Sequence, residues 1–234
     1  MQDLITSPAH LGELFAPNGL LRRPAFYFTL LGAGAALGGA FALDRTMRSS
    51  TRHMGLGLAD GFETGGNFFS YSFTGFFYLW GLQSDNERLR QDQITGFASA
   101  GISSLITLGL KDAFGRLRPR QNHGPWAFFD NGDSFVSGAA TPVFALAAAT
   151  SESFDNAWYV AIPAYAGAAS VGLGRMGKDA HWFSDIVGSA LVGIGTTELL
   201  LFLHRRNESN RSRYWIFPVT PQGGGAGVKI SLNW

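Results

Sequence analysis

The chain has 234 residues, 18 Lys and Arg against 17 Asp and Glu for a net charge of +1, 46% hydrophobic but only 15% charged residues, and no cysteine. The near-neutral balance argues against a nucleic-acid partner, and the absence of cysteine excludes disulfides, thiolate chemistry and any cysteine-based metal site. Mean hydropathy is only +0.07, so membrane residence has to be argued segment by segment; no Pro/Ser-rich or charged linker divides the chain, which favours one large domain.

Residues 1–23 hold no long apolar run and no cleavable signal, and read as a surface or interfacial segment ending in Arg22-Arg23. Phe26 to Leu43 is an almost uninterrupted apolar stretch at the short end of what spans a bilayer. Its small-residue series Gly32, Ala36, Ala40 predicts close approach of another helix, and the polar block Asp44 to His53 closes it. A second segment, Gly66 to Leu82, is crowded with aromatics from Phe68 to Trp80 and is followed by the charged turn Ser84 to Asp92. Further apolar runs cover Ile94 to Leu110, Ser137 to Thr150, Trp158 to Leu173 and Ile186 to Leu203.

Six apolar segments of similar length predict an all-α six-helix bundle over 24–206, transmembrane, with a tail over 207–234. A soluble all-α protein with buried helices is the alternative, because each run is short. In the tail, Trp215 to Pro221 and Gly227 to Trp234 flank Gly223-Gly224-Gly225, and the alternation Val228, Ile230, Leu232, Trp234 reads as one strand of a hairpin.

With six spans, the polar loops 111–133 and 175–185 fall on one side. Arg22-Arg23, the Glu87-Arg88-Leu89-Arg90 turn and His204-Arg205-Arg206 with Arg211 and Arg213 fall on the other. A basic cytoplasmic face then places the two loops outward, although Arg45, Arg48 and Arg52 lie with them.

The loops carry the chemistry. In Gly174-Arg175-Met176-Gly177-Lys178-Asp179-Ala180-His181-Trp182-Phe183-Ser184-Asp185, His181 and Asp185 are four apart. Helical spacing would set the carboxylate to accept one ring proton and leave the other nitrogen free to attack. An arginine six positions earlier suits attack on a phosphoryl group, since guanidinium takes two of its oxygens at once. Lys111 and Arg118, at either end of Lys111-Asp112-Ala113-Phe114-Gly115-Arg116-Leu117-Arg118-Pro119-Arg120, can clasp one anion from two directions; Arg116 and Arg120 read as basic juxtamembrane flank. In Asp133-Ser134-Phe135-Val136-Ser137-Gly138-Ala139-Ala140-Thr141-Pro142, Ser137 is a natural N-cap whose following amides would make an anion site, with Thr141-Pro142 a competing helix start.

Together these three stretches resemble the type 2 phosphatidic acid phosphatase superfamily, which includes vanadium haloperoxidases and bacterial class A acid phosphatases. That family carries Lys, six residues, Arg-Pro; then Pro-Ser-Gly-His; then Ser-Arg, five residues, His, three residues, Asp. Lys111 with Arg118-Pro119, Val136-Ser137-Gly138-Ala139, and Gly174-Arg175 with His181 and Asp185 fit in order and spacing over the four C-terminal apolar segments.

The resemblance implies a phosphatase in which His181 is the nucleophile and forms a phosphohistidine, Asp185 holds its tautomer, and Lys111, Arg118, Arg175, Ser137 and Gly138 bind the phosphoryl oxygens. It implies no metal or other cofactor, and a lipid phosphate as substrate: phosphatidate, phosphatidylglycerophosphate, lipid A or a polyprenyl diphosphate. The expected location is a bacterial inner membrane, with the site facing the periplasm or exterior.

The chain departs from the family at Gly174 for Ser, Val136 for Pro and Ala139 for the His that protonates the departing oxygen. Loss of a general acid costs about 10² to 10⁴ in rate. Three explanations stand for Ala139: an engineered inactivation, a naturally slow chain or one whose leaving group needs little protonation, or a substitute acid among His123, Asp130 and Asp133. Alternative functions are a non-catalytic phospholipid-binding protein and a soluble phosphatase or vanadium-dependent peroxidase.

Overall fold

Every apolar run of the sequence becomes a helix, and all but the fourth extend well beyond it. The computed structural model describes residues 24–211, 214–219 and 227–232; the expected surface segment 1–23 and the Gly223–Gly225 turn lie outside them. The described residues contain six α-helices: α1 (Pro24–Thr51), α2 (Leu56–Gln83), α3 (Glu87–Phe114), α4 (Ala140–Ser153), α5 (Trp158–Gly177) and α6 (Phe183–Arg211). A 3₁₀ turn covers Pro119–Gln121, and strands β1 (Tyr214–Val219) and β2 (Gly227–Leu232) pair antiparallel from Tyr214 opposite Leu232 to Val219 opposite Gly227. The all-α bundle and the hairpin tail are as expected; α6 runs past the anticipated boundary at 206.

The helix ends explain the extra length. At the start of α3, Asn86 accepts a hydrogen bond from Leu89 N at 3.2 Å with Glu87 in the first turn, and at its end Gly115 adopts φ 49°, the left-handed stop that glycine allows. The polar block Asp44 to His53 does not close α1. Helix continues to Thr51 because Asp44 is fully buried and Arg48 is paired with Asp179.

Helix α4 is the axis of the bundle. It packs against α2, α3, α5 and α6 and is buried on all sides from Val143 to Ser151, as expected of a helix apolar all round. Ala140, Val143, Phe144 and Ala147 meet Ala164, Ala168 and Val171 of α5 and Ile186 of α6 in the core.

Close helix contacts lie elsewhere than the sequence suggested. Gly32 has nothing within 4 Å of where a Cβ would stand, and Ala36 is exposed, because α1 meets its neighbours only towards its C-terminal end; of that series only Ala40 is buried. The glycine-lined seam joins α2 to α5. A Cβ at Gly174 would stand 2.5 Å from Glu63 N and 2.6 Å from Ala59 O, and one at Gly177 would stand 2.8 Å from Ala59 Cβ.

Three helical stretches are long and apolar enough to cross a membrane: Phe26–Thr51, Glu87–Gln121 and Phe183–Arg205. Exposed Phe28, Leu31, Phe68, Phe76 and Leu105 give the bundle an apolar exterior.

Candidate active site

The C-terminal ends of α1, α3 and α5 and the N-terminal ends of α2, α4 and α6 meet at one end of the bundle, and the polar loops close over them. His181 sits two residues before α6 and Asp185 in its first turn. His181 is 3% exposed, and its Nδ1 lies 2.8 Å from the Ser134 carbonyl. Asp185 Oδ2 stands 3.6 Å from Nδ1, too far for a hydrogen bond, so the expected direct Asp–His bond is replaced by a carbonyl acceptor with the carboxylate acting through its charge. A ring proton on Nδ1 is donated to that carbonyl, which leaves Nε2 unprotonated, its lone pair accepting from Arg175 Nη2 at 3.3 Å. Burial pushes the imidazole below its ordinary value, although the neighbouring Asp185 pulls the other way.

Asp185 has other partners. It accepts from Ser134 Oγ at 2.5 Å, Trp182 N at 2.8 Å and Arg116 Nη1 at 2.5 Å.

The three cations anticipated from the motifs lie at this end of the bundle, each with a resident partner; Arg175 and Lys111 face the imidazole. Arg175 Nη2 lies 3.3 Å from His181 Nε2, while its Nη1 is 3.1 Å from Glu63 of α2. Arg118 grips the Asp133 carboxylate through Nε at 2.7 Å and Nη2 at 2.5 Å, which holds the Asp133 carboxyl below the usual carboxylate range. Lys111, one turn before the end of α3, donates to the Asp133 carbonyl. The helix ends at Phe114, so Lys111 and Arg118 approach from a helix end and a loop.

Helix α4 begins at Ala140, between the two starts anticipated. Ala139 is already helical in backbone, and Ser137 makes the capping bonds: its carbonyl accepts from Thr141 N at 3.0 Å and its hydroxyl from Ala140 N at 3.4 Å. Ser137 N donates to Ser189 Oγ at 2.8 Å and fixes the loop to α6. Gly138 is exposed, and a Cβ there would stand 3.8 Å from Lys111 Cε. Ala139 packs at the edge of the core. Of the substitute acids considered, His123 and Asp130 are exposed and only Asp133 makes a bond to a site cation.

One departure from the family pattern, Gly174, has a local cause. At Gly174 the backbone of α2 leaves no room for a serine Cβ. Val136 is fully buried and lies against Gly188, where an added Cβ would come within 2.8 Å of Val136 Cγ1.

Sequence reasoning missed four groups. Arg116, read as juxtamembrane flank, is fully buried between Asp44 and Asp185; the adjacent Arg120 is exposed. Ser134 supplies both a hydroxyl and a carbonyl to the His–Asp pair, a role with no sequence signature. Asp44 carried one: a lone acid at the end of an apolar run is costly unless partnered. Glu63 enters from α2, and only the glycine seam reveals how closely it comes.

The family model of the PAP2 superfamily matches residues 94–209, the stretch from the start of the third apolar run to the end of α6. No curated protein and no solved structure matches the chain. The order of the three motifs, the gathering of Lys111, Arg118, Arg175, His181 and Asp185 at one bundle end, and the membrane-length helices agree with that match: through residues 94–209 the chain belongs to the PAP2 superfamily.

Proposed function

We propose that the chain is a membrane phosphatase that hydrolyses a phosphomonoester or diphosphate of a lipid through a phosphohistidine at His181. The observation that carries this reading is the orientation of the imidazole: Nδ1 is occupied by the Ser134 carbonyl and Nε2 faces Arg175. In the first step the Nε2 lone pair attacks phosphorus, the bond to the leaving oxygen breaks, and that oxygen leaves with a proton or as a stabilised anion. Water then attacks the phosphohistidine, giving inorganic phosphate and restoring the imidazole. Arg175, Arg118, Lys111 and the Ser137–Gly138 turn neutralise the equatorial oxygens. To do so, phosphate takes the places now held by Glu63 and the Asp133 carboxylate.

Asp133, kept ionised by Arg118, is a poor proton donor at neutral pH, and alanine at 139 has no proton to give. This supports a leaving group that needs little protonation, such as the lipid monophosphate released when the terminal phosphoryl of a diphosphate passes to His181, or a slow enzyme. The site end faces outward in a bacterial inner membrane on this reading. Support comes from Arg88, Arg90 and Arg205 at the opposite end, set against Arg45, Arg48 and Arg52 at the site end.

Phosphate release from a panel of lipid phosphates in detergent tests the proposal, comparing the chain with Ala139→His and with Ala139→His plus His181→Ala. A rise of about 10² to 10⁴ on monoesters with the first change, abolished by the second, is expected. Inert proteins throughout would favour a lipid-binding protein that kept the anion site without the acid.

A further inference from the structure

Behind the His–Asp pair lies a layer of charge that the phosphatase motifs do not include. Arg116 is completely buried. Its Nη1 donates to Asp185 Oδ1 at 2.5 Å and to Ser184 Oγ at 2.7 Å, its Nη2 to Asp44 Oδ2 at 2.7 Å, and Nη2 and Nε to the Pro125 carbonyl at 2.6 and 3.0 Å. Asp44 in turn accepts from Ser184 N at 2.8 Å and Ser184 Oγ at 2.7 Å. The guanidinium is roofed by the rings of Phe41 and Phe128, each 4.9 Å from its carbon, and of Trp182 at 5.5 Å. Both carboxylates and the guanidinium are 0% exposed. Two acids share one base here in a dry pocket, where removing either partner is felt strongly by its neighbours.

We propose that Asp44 and Arg116 are positioning residues for the nucleophile: Asp44 divides the attention of Arg116, and so sets how much of the Asp185 charge remains to act on His181. The consequence for this chain is that its first helix, which lies before the family-matched stretch 94–209, contributes to the readiness of the histidine. The inference rests on His181 as the attacking group.

The charged groups that face the imidazole directly are Asp185 from α6, Arg175 from α5, Lys111 from α3 and Asp133 from the loop; Glu63 of α2 reaches it only through Arg175. Substitutions at positions 44 and 116 leave all of these in place. Loss of the Asp44 charge gives Arg116 wholly to Asp185 and weakens the hold of Asp185 on a protonated ring. Loss of the Arg116 charge does the reverse. The two changes therefore move the protonation of His181 in opposite directions, which a loss of packing alone would not do.

The probe is inorganic vanadate, a pentacoordinate-phosphate mimic whose binding requires a neutral imidazole and no leaving-group proton, so Ala139 does not interfere. Vanadate affinity is measured by calorimetry against pH for the full chain and for Asp44→Asn, Arg116→Gln and His181→Ala, each compared at the same pH so that vanadate's own titration cancels. The expected result is loss of tight binding in His181→Ala, a fall-off at acid pH displaced downward by roughly half a pH unit or more in Asp44→Asn, and displaced upward by a similar amount in Arg116→Gln. If His181→Ala binds vanadate as tightly as the unaltered chain, the phosphohistidine reading falls and the relay with it. If His181→Ala loses binding while the other two leave the fall-off unmoved, or move it the same way, the relay alone is wrong. Should Arg116→Gln not fold, Asp44→Asn decides alone: a fall-off unmoved or displaced upward overturns the proposal.

Discussion

The two ends of the bundle are both tied together by arginine–carboxylate pairs, yet they use them differently. At the end opposite the site, Arg205 joins Asp92 at 2.8 Å and Glu152 at 3.1 Å, and Arg88 joins Asp155 at 2.8 Å; the arginine side chains are 34% and 56% exposed. At the site end Arg116, Asp44 and Asp185 are sealed from water. These arginines stay partly in water, so although Asp92 is buried the pairs can rearrange at lower cost than a sealed cluster as they link α3, α4 and α6. A sealed cluster has one arrangement that satisfies its charges, and it holds the ends of α1, α3 and α6 in register around a histidine. The same residue types thus act as a fastening at one end and as a jig at the other.

Removing one arginine from each end breaks the comparison most directly. Arg116→Met leaves two buried carboxylates without their cation and is expected to cost about 3–5 kcal/mol. Arg205→Met is expected to cost about 1–2 kcal/mol, because Asp92 is itself buried, and Arg88→Ala no more than about 0.5 kcal/mol. Thermal unfolding in detergent gives all three, and equal losses at both ends would remove the distinction.

The glycine seam offers a second contrast, of intermediate size. Gly174→Ser places a side chain where α2 backbone already stands and is expected to cost about 1–3 kcal/mol together with activity. Gly65→Ser, where nothing lies within 4 Å of the added carbon, serves as the control and is expected to change stability little.

A smaller effect sharpens the account of the cations. Glu63→Gln frees Arg175 from its resident carboxylate and is expected to tighten inorganic phosphate binding by roughly 2- to 10-fold, read by calorimetry. Weaker binding instead would mean that Glu63 holds Arg175 in place for the ligand.

The pH dependence has a definite sign. His181 is held below its ordinary value, so it stays neutral and able to attack as pH falls past 6.5. The unfolded chain binds that proton first. Stability from the neutral ring is therefore present above the ordinary imidazole value and lost as pH falls through the folded one. kcat/KM, which follows the folded ring, is expected to hold through the ordinary imidazole range and decline below it, whereas the unfolding temperature begins to fall once pH drops below 6.5.

How much of this was legible in the sequence depends on what kind of signal each residue carries. The six helices follow from apolar run length, and the five charged groups Lys111, Arg118, Arg175, His181 and Asp185 follow from spacing, because a phosphoryl site needs those charges in fixed order. Helix ends were less legible: polar residues at the end of α1 look like a stop until their buried partners are known. Arg116 and Arg120 are alike in sequence, two arginines of one short basic stretch, and only tertiary contacts separate a sealed base from an exposed one. The partner of Nδ1 was invisible for a different reason. It is a backbone carbonyl, and any residue at 134 would supply one.

The central claim is that His181 carries the phosphoryl group, and trapping that group tests it most directly. The chain is mixed with a radiolabelled lipid diphosphate, quenched in alkali, digested and mapped by mass spectrometry. An alkali-stable, acid-labile phosphate on His181, absent from His181→Ala, is the predicted result. Label found on no residue while phosphate is still released, or label that persists in His181→Ala, would contradict it.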